Sequence, residues 1–178
     1  MSSWQNHSID ERISMIQSVA QDHNIEDNAI EKDWWVTVVL KALFNTSCGK
    51  WLLFKGGTSL SKGWNLINRF SEDIDISIGR NFFGDVLNLP FAKCENNNQV
   101  KKLRKASRDY IHGTLSAELD VELQKMGIEG YTVKNETMAG EPPKPIDHDS
   151  DPTVIFVNYE SIFPSSMRLI DARIKIEI

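Results

Sequence analysis

Apolar residues recur every three or four positions through the first quarter of the chain, then every second position in two later stretches. Ile9, Ile13, Ile16 and Ala20 share one helical stripe, which predicts a helix from about Ile9 to Asp22. Ser8 before it, with Glu11 three residues on, reads as a capping box. A second helix is predicted from about Glu26 to Asn45. Its stripe Ile30, Trp34, Val38 and Ala42 is widened by Trp35, Val39 and Leu43, which predicts deep packing. The period then changes. The run Trp51-Leu-Leu-Phe54 reads as a buried strand stopped by Gly56-Gly57, with a helix starting at Thr58 or Ser59 and running through about Ile67. From Ser71 to Ile78 the chain alternates, with Ser71, Asp73, Asp75 and Ser77 on one face and Ile74, Ile76 and Ile78 on the other.

A long helix is predicted from about Asn98 to Lys125, with Gly113 weakening its middle. Lys101, Arg104, Lys105 and Arg108 lie along one side of it. Glu141 to Pro152 is rich in proline and aspartate and reads as a loop. Thr153 to Asn158 is a short strand. Arg173-Ile-Lys-Ile-Glu-Ile178 is a second alternation, with Arg173, Lys175 and Glu177 on one face. This order predicts an α/β or α+β domain with a mixed β-sheet flanked by helices. N-terminal helices would occupy about 8–46 and a core about 50–178 of one domain.

Composition narrows the class. At 178 residues and 40% hydrophobic content, the chain can bury the core of one domain. No apolar run is long enough to cross a bilayer, and the N-terminus lacks the pattern of a signal peptide. Cys48 and Cys94 fit no zinc spacing, so a reduced cytoplasmic setting is expected. A net charge of −5 argues against a protein coated for nucleic acid but leaves room for a local basic patch.

Candidate chemistry lies in the acidic alternation. Two carboxylates two residues apart on a strand point the same way, with α-carbons about 7 Å apart. Asp73 and Asp75 can therefore share a hard divalent ion such as Mg²⁺ or Mn²⁺, which keeps substrate phosphates in its shell. Glu177, on the polar face of the final strand, is the best third carboxylate. Gly56-Gly57-Thr58-Ser59 supplies a complement: glycines let the backbone approach a phosphate, and the helix that follows aims N–H groups at it. Thr58 or Ser59 could add a hydroxyl, and Lys62 or Arg69 a cation. The Walker A spacing is not met. Each piece alone is commonplace: most Asp-x-Asp pairs are solvated, and most Gly-Gly turns are only turns. Their order and spacing together carry the argument.

Those residues resemble a known family. Phe54-Lys-Gly-Gly-Thr-Ser-Leu-Ser-Lys62 followed by Arg69-Phe-Ser-Glu-Asp-Ile-Asp75 is similar to the AbiEii-type nucleotidyltransferase toxins of the polymerase-β-like superfamily, and Glu31-Lys-Asp-Trp-Trp-Val36 to that family's N-terminal helix. The likeness covers about residues 26–78 and, more loosely, the last strand. It implies the nucleotidyltransferase fold, with Gly57 and Ser59 on an NTP, Asp73 and Asp75 on Mg²⁺, and Glu177 as the third acidic position. It also implies the toxin of a bacterial abortive-infection pair with a separate antitoxin protein. Some relatives transfer nucleotides to tRNA 3′ ends. The family usually continues into a helical region with a Lys-x-x-Asp-type motif. With a strand ending at the last residue, the chain is expected to be truncated before that region, and the isolated piece to bind nucleotide poorly and be inactive.

The remaining features weigh less. The cationic helix face reads first as solvated surface, and Asp147-His-Asp-Ser-Asp151 as a flexible acidic loop. His7, His23 and His112 have no partner at a metal spacing. The tryptophans Trp4, Trp34, Trp35, Trp51 and Trp64 read as packing residues. Two other functions fit parts of the pattern: a catalytically inactive nucleotidyltransferase-fold binding protein, and a glycosyltransferase using Asp-x-Asp. The Gly-Gly-Thr-Ser block argues against the second.

Overall fold

The computed structural model describes residues 4–66, 72–139, 142–146, 152–164 and 170–178. Helix α1 (Ile9–His23) starts at Ser8 with the predicted capping box and ends at Asn24 in a left-handed conformation. Helix α2 (Asp27–Asn45) buries Trp35, Val36, Val38, Val39, Ala42 and Leu43, the deep packing its wide stripe predicts. Strand β1 (Leu52–Lys55) leads into α3, formed by Gly56–Thr58 and a wider turn, Ser59–Gly63. That helix is shorter than the pattern suggests. Gly63 and Asn65, the latter at φ 52°, turn the chain out of it.

Strand β2 (Ile74–Ile78) begins three residues later than predicted. The reason is local: the Asp73 carbonyl accepts a hydrogen bond from the Thr58 hydroxyl, so it is held by α3 just before the strand starts. Helix α4 (Asn97–Tyr110), a wide turn over Ile111–Leu115 and α5 (Ser116–Lys125) make the predicted long helix in one run. Gly113 sits in that turn. Strand β3 (Tyr131–Asn135) is not in the predicted set. A two-residue pairing of β4 (Met138–Ala139) with β5 (Lys144–Pro145) enters the stretch expected to be loop. Strands β6 (Val154–Tyr159) and β7 (Arg173–Glu177) complete the set.

Five strands form one mixed sheet in the order β1-β2-β7-β6-β3. Only β2 and β7 run parallel; the other neighbours are antiparallel. Side chains alternate across a sheet, so each register fixes a face. Ile74, Ile76, Ile174, Ile176, Ile155 and Val157 are fully buried and meet on one face. Helix α2 packs on α5 and β7, and α5 on β3, so the helical layer covers that face. Trp35 of α2 stacks on Tyr159 of β6 with ring centroids 4.8 Å apart. The opposite face carries Asp75, Lys175, Glu177, Arg173 and Lys134, all at least partly exposed. No helix among the described residues is long and apolar enough to cross a membrane.

Candidate active site

Parallel pairing of β2 with β7 brings together residues a hundred positions apart. Asp75 and Glu177 are register partners on adjacent strands. Side by side in a parallel pair, their side chains rise from the same face of the sheet. Asp73 stands two residues before Asp75, and continuing the register by one residue sets it level with Lys175. On the other side of β2, Lys55 of β1 is the register partner of Asp75. One end of the sheet thus gathers three carboxylates and two ammonium groups.

The glycine turn lies against this cluster. Gly56 has φ +72°, and a β-carbon there would fall 1.9 Å from Asp75 Oδ2. The position therefore needs glycine for two independent reasons, a left-handed backbone and the close approach of a carboxylate. The two sequence blocks are in physical contact, with no room for a side chain between them. Thr58 and Ser59 are buried. The Thr58 hydroxyl donates to the Asp73 carbonyl, and the Ser59 hydroxyl donates to the Phe54 carbonyl at 3.1 Å. Both hydroxyls shape the turn. Gly57 is half-exposed at its opening. Lys62 turns to α2, where its Nζ lies 2.6 Å from Asp33 Oδ1 and donates to Thr37. Arg69 lies outside the described residues, as does the acidic segment 147–151.

Lys175 is the residue that sequence reasoning missed. Its ammonium pairs with the Glu177 carboxylate and feels the charges of Asp73 and Glu136. The hydrogen bond to Glu177, reinforced by those charges, raises the lysine above its ordinary range. Desolvation raises the Asp73 carboxyl, with Glu72 and Glu177 adding to the shift and Lys175 and Lys32 opposing it. Its signal was present: a lysine two residues before Glu177 on an alternating strand must share the acidic face.

Lys32 had no local signal. It is buried in α2, and its Nζ donates to Glu72 Oε2 at 2.5 Å and to the Asp171 carbonyl at 3.2 Å. One buried ammonium therefore ties the residue before Asp73 to the segment entering β7. Its neighbours act alike. Glu31, also buried, accepts from the Ser161 hydroxyl and from the Ile162 N–H at 2.9 Å. Asp33 holds Lys62. Three consecutive residues on one helix thus anchor four points of the chain around the cluster: α3, Glu72, Ser161 with Ile162, and Asp171. Beside it, Lys32, Glu72, Asp73, Glu136 and Lys175 are among the residues lining a polar cleft of about 440 Å³.

Hard carboxylate oxygens on one sheet end are the donors a Mg²⁺ or Mn²⁺ ion takes, so the donor chemistry fits. The arrangement is not a closed cage. Among the described residues no three acidic, histidine or cysteine side chains converge on a common point, and Glu177 is held by Lys175. Away from the sheet end, Lys101, Arg104 and Lys105 lie on exposed surface of α4. Trp4, Trp34, Trp35 and Trp51 pack against other rings as predicted, but Trp64, just past α3, is 71% exposed.

A family model described as nucleotidyl transferase AbiEii toxin, type IV TA system, matches residues 39–178. That span contains the glycine turn and all three carboxylates of the sheet end. No curated protein and no solved structure matches the chain.

Proposed function

The chain belongs to the AbiEii nucleotidyltransferase toxin family of type IV toxin–antitoxin systems, and on that footing we propose that it transfers a nucleotide from an NTP to an RNA acceptor, the 3′ end of tRNA. It would act in the cytoplasm, as the toxin of an abortive-infection pair restrained by a cognate antitoxin. The observation that carries this reading is the contact between the Gly56 turn and Asp75, with Glu177 alongside Asp75. A phosphate-binding turn and a metal-binding face are useful to each other only when they touch.

The roles follow from position. Asp73 and Asp75, joined by Glu177, would hold Mg²⁺ or Mn²⁺, which when bound offsets charge developing on the triphosphate. The N–H groups opening α3, around Gly57, would meet phosphate oxygens, helped by the positive end of the helix. Gly56 admits Asp75 to the same spot. Thr58 and Ser59 keep the turn in shape through the Asp73 and Phe54 carbonyls. Lys62 and Arg69 follow the turn in sequence, and Lys62 would have to leave Asp33 to reach a phosphate. Lys55, the residue before Gly56, is the register partner of Asp75 and stands beside the same turn.

The test incubates the full-length protein with each labelled NTP, Mg²⁺ and total tRNA, beside an Asp73→Ala, Asp75→Ala double variant. Label on tRNA from the wild type alone supports the reading. No transfer by the wild type sinks it, and transfer that survives in the variant removes these aspartates from the mechanism.

A further inference from the structure

We propose that Lys175 is the internal counter-ion of the carboxylate cluster and competes with the divalent cation for Glu177. The inference rests on the metal-site reading above and concerns how that site is held before metal arrives. Asp73, Asp75 and Glu177 share one sheet end, and like charges so placed repel. Lys175 answers that repulsion from within the same face. It pairs with Glu177, stands level with Asp73, and lines the cleft with Asp73 and Glu136. The charge that steadies the cluster also occupies an oxygen that a cation would use: Lys175 meets Glu177 at Oε1. Glu177 has to share or give up that contact to coordinate a cation, and the ammonium opposes the cation's charge at close range. Lys175 is thus a positioning residue whose removal should strengthen metal binding, the reverse of what removing a ligand does.

Mn²⁺ binding to the full chain, followed by the paramagnetic resonance of the free ion, tests this without any turnover. Lys175→Met should bind Mn²⁺ roughly tenfold more tightly or better, because one close opposing charge is gone. Lys175→Arg keeps the charge and should stay near the wild type. In a Glu177→Gln background the gain from Lys175→Met should shrink, since the contested ligand is absent. In thermal melts, Lys175→Met should fall below the wild type without metal and recover more on adding Mn²⁺, which a merely structural lysine would not cause. Should Lys175→Met fail to fold, Lys175→Gln carries the same measurement. Mn²⁺ affinity that is unchanged or weaker in the lysine variants overturns the proposal, as does a gain that persists in full without Glu177. An Asp73→Asn, Asp75→Asn variant with wild-type Mn²⁺ affinity would instead overturn the metal site itself. Absence of Mn²⁺ binding in every variant overturns both.

Discussion

The two faces of the β2–β7 pair are built from the same alternation and obey opposite rules. On one face Ile74, Ile76, Ile174 and Ile176 are sealed under the helices, and every atom contributes to cohesion. On the other, Asp73, Asp75, Lys175 and Glu177 stand among charges that oppose as well as attract one another. The isoleucine face fixes where the charged face is, because a one-residue slip of either strand would turn its carboxylates into the core. Cohesion on one side therefore pre-sets chemistry on the other, and the two should respond differently to mutation.

The largest difference is expected in the proposed reaction. Replacing Asp73 and Asp75 with alanine should lower nucleotide transfer by about a thousandfold, the several kcal/mol carried by a bound metal. Denaturant unfolding should barely change. The mirror experiment is Ile176→Ala, which should cost about 2–5 kcal/mol of stability in the same unfolding assay. Transfer per folded molecule should stay near the wild type; a large loss would mean that the faces are not separable. Gly56→Ala bridges the two faces. It should cost about 1–2 kcal/mol for the left-handed backbone and also weaken Mn²⁺ binding, because the new methyl group occupies the place of the Asp75 carboxylate. Thr58→Val should cost about 1–2 kcal/mol by leaving the Asp73 carbonyl without its hydroxyl donor.

The smallest effect concerns charge alone. Desolvation raises the folded-state pKa of Asp73, so the folded protein holds that proton more readily than the unfolded chain. Stability is then lost as pH rises through the carboxylate range, the opposite of a salt-bridged acid. Asp73→Asn should melt slightly above the wild type at neutral pH, and the two curves should converge near roughly pH 3. A variant that melts lower at neutral pH would show that Lys175 outweighs desolvation at this carboxylate.

Much of this was legible because it is local. The capping box at Ser8 and Glu11, the buried stripe of α2 and both isoleucine alternations are set by residues within a few positions of one another. The glycine turn and the acidic pair could be recognised as two motifs, though nothing in either says that they touch. What stayed hidden depends on distant partners. The β2–β7 pairing that matches Asp75 to Glu177 spans a hundred residues, and no spacing encodes it. Strand β3 escaped because Tyr131 and Val133 give too short an alternation to stand out, and its place is secured by pairing with β6. Lys32 sits on an apolar helix where a lysine reads as a surface residue. Only the fold brings Glu72 and the Asp171 carbonyl to it. Helix α3 was drawn too long because the left-handed Asn65 leaves no mark in the periodicity.

The anchoring of chain segments by α2 makes that helix the reference point for the last strand. Glu31 grips the chain at Ser161 and Ile162, just past β6, and Lys32 grips it again at Asp171, just before β7. The chain therefore leaves one strand and enters the next from points fixed on a single helix. A change in α2 reaches the register of Glu177 with Asp75 through held backbone positions as well as through packing.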